Sequence, residues 1–488
     1  MFKRKFMVNI KISFNGFIIK LSALLICSFL LITCSKEIEI IPEPETPIYP
    51  ITINIEGEGQ VDYESINGIS SSNYELGTSI ILTANPSENW EFIGWSGSII
   101  SSENPVEIRI SDSTEVKAKF MRYFDYKQPS YKFKNSDFWI DIESIPTSNG
   151  IDLFQTSYSA AYSYADFNGD GYEDILLAKN KYNIERHPLE LFINNKNENF
   201  VLDQTLIQNN IGCETARKSI VGDYNGDGKP DVFFADHGAE GAVFEFAYPS
   251  ILLSNSNGYN FEILDNLPKS FYHGAASGDI DNDGDLDIIT STGLVLINDG
   301  FANFSDMNQL WQTSEGGIYT IELIDINNDG FLDLIVGGHT MASYDLESEK
   351  IYFGNGINYS DSNSILLPKV LGYGVSTDFS FYDINNDGFD DIFVNRAGGS
   401  VTANNTYDTD FYVGWAVQLI INNQGTDFID VTDSYFDVFQ GAENSMVWIR
   451  VQDIDNNGSV DLFENDKYHF DTTQIFRWEW NGSSFIKM

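Results

Sequence analysis

The chain has 488 residues, with 28 Lys and Arg against 72 Asp and Glu, a formal net charge of −44. That sign excludes a nucleic-acid partner, because phosphate neutralisation needs a surplus of cations. Three cysteines, Cys27, Cys34 and Cys213, do not make a disulfide framework.

Residues 1–33 read as an export signal, not as fold. Lys3, Arg4, Lys5, Lys11 and Lys20 precede an apolar stretch over 21–33 that is too short to span a bilayer as a mature helix. Leu31-Ile32-Thr33-Cys34 resembles a bacterial lipobox, although Thr33 stands where Gly, Ala or Ser is usual. The resemblance implies a lipid on Cys34 and, through it, a membrane anchor. Ser35-Lys36-Glu37 with Glu39 resembles the acidic tags of outer-membrane lipoproteins exposed at the cell surface. Loss of the five leading basic residues takes the charge to −49. Residues 34–50 then hold the lipid site and a semi-rigid linker with Pro42, Pro44, Pro47 and Pro50.

Residues 51–121 carry a small β domain. ITINIEGEGQV alternates apolar and polar residues, the period of a half-buried strand. GTSIILTA, FIGWSG and VKAKF resemble the divergent internalin-B-repeat domain, which implies a spacer or adhesive module. Trp90 and Trp95 are expected in its core. Residues 122–157 are either a lead-in or a degenerate repeat.

A nine-residue sentence then recurs six times: DFNGDGYED, DYNGDGKPD, DIDNDGDLD, DINNDGFLD, DINNDGFDD and DIDNNGSVD. Positions 1, 3, 5 and 9 carry side-chain oxygens. They are Asp166, Asn168, Asp170 and Asp174 in the first copy, then Asp223, Asn225, Asp227 and Asp231 in the second. The third has Asp279, Asp281, Asp283 and Asp287, and the fourth Asp325, Asn327, Asp329 and Asp333. The fifth has Asp383, Asn385, Asp387 and Asp391, and the sixth Asp453, Asp455, Asn457 and Asp461. Position 7 would add only a backbone carbonyl, so its side chain drifts: Tyr172, Lys229, Asp285, Phe331, Phe389 and Ser459. An all-oxygen set of this kind suits Ca²⁺, which takes six to eight oxygens in a loose shell, so up to six ions are expected. Gly at position 6 allows a turn with φ > 0. Asp, Asn and Gly are also plain turn formers, but six filled copies outweigh that reading. In the last copy Glu464 falls at position 12, the spacing of an EF-hand. The flanks MVWIRVQ and LFEN are strand-like, which excludes the helices an EF-hand needs.

The loops start 57, 56, 46, 58 and 70 residues apart, a period that signals a repeat architecture. Each lies between short runs that are apolar on both faces, as strands sandwiched between sheets are, with about four strands per unit. Loops and strands together resemble FG-GAP/VCBS repeats over roughly residues 122–488. The resemblance implies an all-β fold, a β-propeller of the integrin α type over 158–488, with each loop joining the first and second strands of a blade. Six blades are visible. The family usually has seven, so residues 122–157 leave that count open.

On that topology the other end of the disc carries long excursions at 236–248, 339–350 and 396–415. They hold Phe244, Phe246, Tyr248, Tyr407, Phe411, Tyr412 and Trp415, residues that fit a glycan or protein ligand or pack as loop cores. His237, His273 and His339 fall at strand ends on that side, while His187 and His469 have no visible company. No nucleophile elbow, HExxH or phosphate loop occurs. The expected function is a calcium-binding surface lipoprotein that binds glycan or protein. The alternatives are a lyase-like, polysaccharide-degrading propeller enzyme and a purely structural surface component. In the enzyme, His237 or His273 would do acid/base work, with Arg217 or Arg396 steadying a uronate carboxylate.

Overall fold

The structure is a computed structural model. It describes residues 46–87, 89–133, 140–142, 158–180, 185–195, 200–239, 245–311, 317–338, 349–368, 374–398, 415–436, 449–452, 459–464 and 477–487. The export signal, Cys34, His339, His469, residues 453–458 of the sixth loop, and Phe244, Tyr407, Phe411 and Tyr412 lie outside them.

Period-2 patterning builds the N-terminal unit. Ser79–Pro86 buries Ile80, Leu82 and Ala84, and Thr114–Arg122 buries Val116, Ala118 and Phe120. Two sheets enclose this core. One orders Asn73–Glu75, Ile48–Glu56, Thr114–Arg122 and Trp90–Gly97; the other Gly59–Ser65, Ser79–Pro86 and Val106–Arg109. Trp95 is 2% exposed and its Nε1 donates to the Glu103 carbonyl at 2.9 Å. Trp90 packs partly buried against the same cluster, so both tryptophans serve the core, as expected.

Six further sheets follow among the described residues, each built on a meander of consecutive antiparallel strands, to which the second sheet adds the parallel edge strand Ile207–Gln208. Their first strands are Tyr158–Ala165, Ala216–Gly222, Ala275–Gly278, Ile318–Ile324, Gly374–Tyr382 and Ile449–Gln452. Each is paired with the strand beyond its loop, which begins at Asp174, Asp231, Asp287, Asp333, Asp391 or Asp461. The loops therefore join first to second strands. Glu464 lies on a strand, in keeping with the rejected EF-hand. First strands of consecutive sheets lie against one another. This explains why Ala216–Gly222, Asp231–Asp236, Ile318–Ile324 and Asp333–Gly338 are buried along their whole length. No helix among the described residues is long and apolar enough to cross a membrane.

In the run NFVLDQTL the strand is short and ends at Leu202. Phe200–Leu202 closes the first sheet, while Ile207–Gln208 joins the edge of the second. Asp203 makes the break: its Oδ1 accepts from the Thr205 N–H and hydroxyl, both at 2.7 Å, turning the chain between sheets.

Residues 123–133 form a strap along the loop-side ends of the first strands. The Tyr126 hydroxyl accepts from the Asp166 N–H at 2.8 Å, and its carbonyl accepts from the Asp223 N–H at 2.9 Å. Ser130 Oγ accepts from the Ser277 N–H at 3.0 Å, and the Tyr131 ring meets Phe381 edge-on at 5.3 Å. Ser130 Oγ also lies 3.5 Å from Glu322 of the fourth sheet, so one short segment touches sheets one to five. Farther on, Ile140–Ile142 pairs with Tyr158–Ala165 as a fifth strand of the first sheet. Among the described residues, 122–157 forms no sheet of its own.

Candidate metal centres

Five loops are described in full, and they repeat one geometry. The position-1 carboxylate accepts from the N–H groups of positions 5 and 6. In the fourth loop these are Asp329 to Asp325 Oδ1 at 3.0 Å and Gly330 to Asp325 Oδ2 at 2.9 Å. The same pair recurs at Asp166, Asp223, Asp279 and Asp383. The position-6 glycines have φ between +81° and +96°, as expected. Position 4 is also left-handed, at Gly169, Gly226, Asn282, Asn328 and Asn386. That requirement was not read from the sequence, although the restriction of position 4 to Gly and Asn is its signal.

Position 9 is a staple. In the third loop Asp287 Oδ2 accepts from the Ile280 N–H at 2.9 Å and Oδ1 from the Asn298 N–H at 2.8 Å. Asp174, Asp231, Asp333 and Asp391 do the same with position 2 and with Asn194, Ser254, Gly354 and Asn422, on or just beyond the third strand. The side chain of Asn194 turns to the Glu173 carbonyl of its own loop, whereas those of Asn298 and Asn422 reach the neighbouring sheet. Asn298 Nδ2 donates to the Tyr224 carbonyl and Asn422 Nδ2 to the Ile326 carbonyl, each at 2.8 Å. Both carbonyls belong to position 2 of the preceding loop. The sequence reading missed these asparagines; the recurring FIN, LIN and IIN endings were the available clue.

The donor set fits a hard cation. In the third loop, carboxylate oxygens of Asp279, Asp281 and Asp283 all lie within 4.8 Å of one another, a separation one Ca²⁺ can bridge. Burial also leaves these carboxylates in need of positive charge. Desolvation pushes Asp174 up to about 8, Asp231, Asp287 and Asp333 up to about 7, and Asp391 up to about 6. Asp166 and Asp281 are raised by the same cause, with neighbouring carboxylates adding to it. Among the described residues, protein cations reach the loops only at a distance. Lys229 Nζ is 3.9 Å from Asp227, and Arg122 Nη1 is 3.8 Å from Glu173.

At the opposite end of the strands, the structure brings together three of the candidates for other chemistry. The rings of His237 and His273 lie 4.5 Å apart, and His273 lies 4.2 Å from Tyr319. Arg217 Nη1 is 3.2 Å from His273 Nδ1 and also donates to the Tyr319 hydroxyl. A guanidinium only donates, so Nδ1 accepts and the imidazole proton sits on Nε2. Phe271 stacks on His237 at 4.6 Å and meets Phe246 at 4.4 Å. Arg396 is elsewhere: it pairs with buried Glu349 at 2.9 and 2.5 Å and donates to Gln418. Burial raises Glu349, but Arg396 outweighs it and holds the carboxyl below its ordinary value. Arg396 is thus engaged in joining the fourth and fifth sheets.

The family model described as FG-GAP-like repeat matches residues 166–234 and 223–290, and that of the Divergent InlB B-repeat domain matches residues 49–123. The chain carries both modules. The FG-GAP matches span the first three loops, and the InlB match spans the N-terminal two-sheet unit. No curated protein matches the chain. Among solved structures, the V. cholerae biofilm matrix protein Bap1 is similar at 10% identity, over 89% of this chain and 80% of that one, with a TM-score of 0.33. A likeness that slight carries no argument about function.

Proposed function

We propose that this chain is a calcium-stapled β-propeller held outside a bacterial cell by a lipid on Cys34, binding a glycan or protein at the end remote from its FG-GAP loops. The observation that carries the calcium reading is the Asp279–Asp281–Asp283 trio, whose oxygens converge within 4.8 Å. Bound calcium would supply the charge that lets such carboxylates sit together. The chain's own part is to hold positions 1 and 9 through backbone N–H groups and to present positions 3 and 5 beside them. Six meanders with adjacent first strands support the propeller. The binding end follows from the exposed, aromatic character of that side, where Phe246 is 49% exposed beside Phe271. Thermal melts with calcium and with EDTA test the staple: a melting temperature indifferent to chelation sinks it. A glycan array probed with the full chain, with and without Phe246→Ala, tests the binding end.

The convergence of His237, His273, Arg217 and Tyr319 favours one second reading, a lyase-like enzyme acting on uronate-containing polysaccharide. His273 or His237 would move the proton and Arg217 would steady the carboxylate. Absorbance of an unsaturated product, abolished in His273→Ala, is the expected result. No product with any polyuronate leaves the binding reading alone.

A further inference from the structure

We propose that the first FG-GAP loop is a calcium-set joint that fixes the N-terminal two-sheet unit against the six-sheet array. The inference rests on the calcium reading. The first loop differs from the four other described loops in what covers it. A methyl group placed on Gly171 would lie 2.8 Å from Met121 Cγ and 3.3 Å from the Arg122 nitrogen, whereas Gly228, Gly284, Gly330 and Gly388 face open space. Met121 and Arg122 end Thr114–Arg122, an interior strand of the N-terminal unit. Arg122 reaches Glu173, position 8 of the loop, at 3.8 Å. The Tyr126 hydroxyl holds the N–H of Asp166, position 1, and the Tyr126 carbonyl holds that of Asp223, position 1 of the second loop.

Positions 1, 6 and 8 of a single loop therefore receive the end of one unit and the start of the strap. Each contact is weak alone, the ion pair included, since solvent screens it. What makes them a joint is that all depend on the loop keeping its shape. That shape gathers Asp166 and Asp170 around one point, and it is the arrangement a cation stabilises and mutual repulsion opens. The two ends of the protein, anchor side and binding side, meet here. Calcium would thus decide whether the array is held at a set angle to its anchor or swings on residues 122–125, before the strap is tied to the array at Tyr126.

Spin labels on Ser102→Cys and Ser256→Cys of the full chain, one exposed site on each side of the joint, give the distance distribution by pulsed electron resonance. With calcium the distribution is narrow. Chelation, or Asp170→Asn at saturating calcium, broadens it at least twofold, while Asp283→Asn, the same charge change in the third loop, leaves it narrow. Thermal melts of the same samples show that each variant is folded. Equal widths with and without EDTA overturn the joint, as does equal broadening by Asp283→Asn. Should EDTA lower the melting temperature while the width stays narrow, the calcium reading stands and the joint falls. Should neither move, both fall.

Discussion

The position-9 aspartates carry two duties with opposite electrostatic consequences. Each is buried and bonded to two backbone N–H groups, one of the loop and one at the third strand, which places it in the fold. Burial also raises it, to between about 6 and about 8 across the five loops. A carboxyl raised above its unfolded value of about 4 favours folding below that value, and the contribution is lost as pH rises through the folded value. In EDTA the protein should therefore be more stable at pH 5.5 than at pH 8.5, the loss running from about pH 4 up to the folded values of about 6 to about 8. With calcium the order reverses, because protons compete with the ion for the same oxygens. A melting temperature in EDTA that climbs between pH 5.5 and 8.5 would refute this. Arg396 calls for a different test. It sits 5% exposed against Glu349 at 1%, so Arg396→Met strands a buried carboxylate and costs about 3–5 kcal/mol. Glu349→Leu added to it restores most of the loss in denaturant titration, an outcome a catalytic arginine gives no reason to expect.

At the scale of strands and sheets, the contacts between neighbours are polar as well as apolar. Asn422, on the third strand of the fifth sheet, holds the Ile326 carbonyl of the fourth, and its N–H holds Asp391. Asn422→Ala keeps the second bond and removes the first, together with the side chain's bonds to the Asp390 carbonyl and the Gly425 N–H, leaving buried backbone groups without their partners. The expected cost is about 1–3 kcal/mol, read as a lower denaturant midpoint. Asn303→Ala, on an exposed turn where the side chain meets only Asp299, should change the midpoint little. A null result at Asn422 would mean that this polar contact adds nothing to the apolar packing between the two sheets. The loops and the strands around them were legible in the sequence because the chain repeats them and each spans only a few residues. Asn422 was not, since its partner lies 96 residues away and no local pattern points there. The strap was missed for the same reason: nothing in KQPSYK announces that Ser130 reaches Ser277. The meeting of His237 and His273 was legible because strand order alone put both at one end. The occupation of Arg396 was not, because it depends on Glu349, 47 residues earlier.

Across the molecule, the acidic charge and the loops are one problem. Nineteen Asp occupy positions 1, 3, 5 and 9 of the six loops, and among the described residues the only free thiol is buried Cys213, so no disulfide contributes. For an extracellular module, Kd of ~0.1 mM at ~1 mM calcium gives roughly 1.4 kcal/mol per site by linkage. Six such sites total about 8 kcal/mol, comparable with the whole stability of a domain. The sign of a ligand substitution should therefore depend on the ion. Asp329→Asn is isosteric and keeps the Oδ1 acceptor for the Phe331 N–H, while it removes one charge from beside Asp325. In EDTA that relieves repulsion, and the variant should melt at or slightly above the parent. In calcium it weakens a site, and the variant should lose up to about 1.4 kcal/mol, that site's share. A crossing of the two melting temperatures between EDTA and calcium is the signature of a metal ligand. A residue that merely shapes a turn lowers stability equally in both, and Asp329→Asn behaving so would return the loops to ordinary turns.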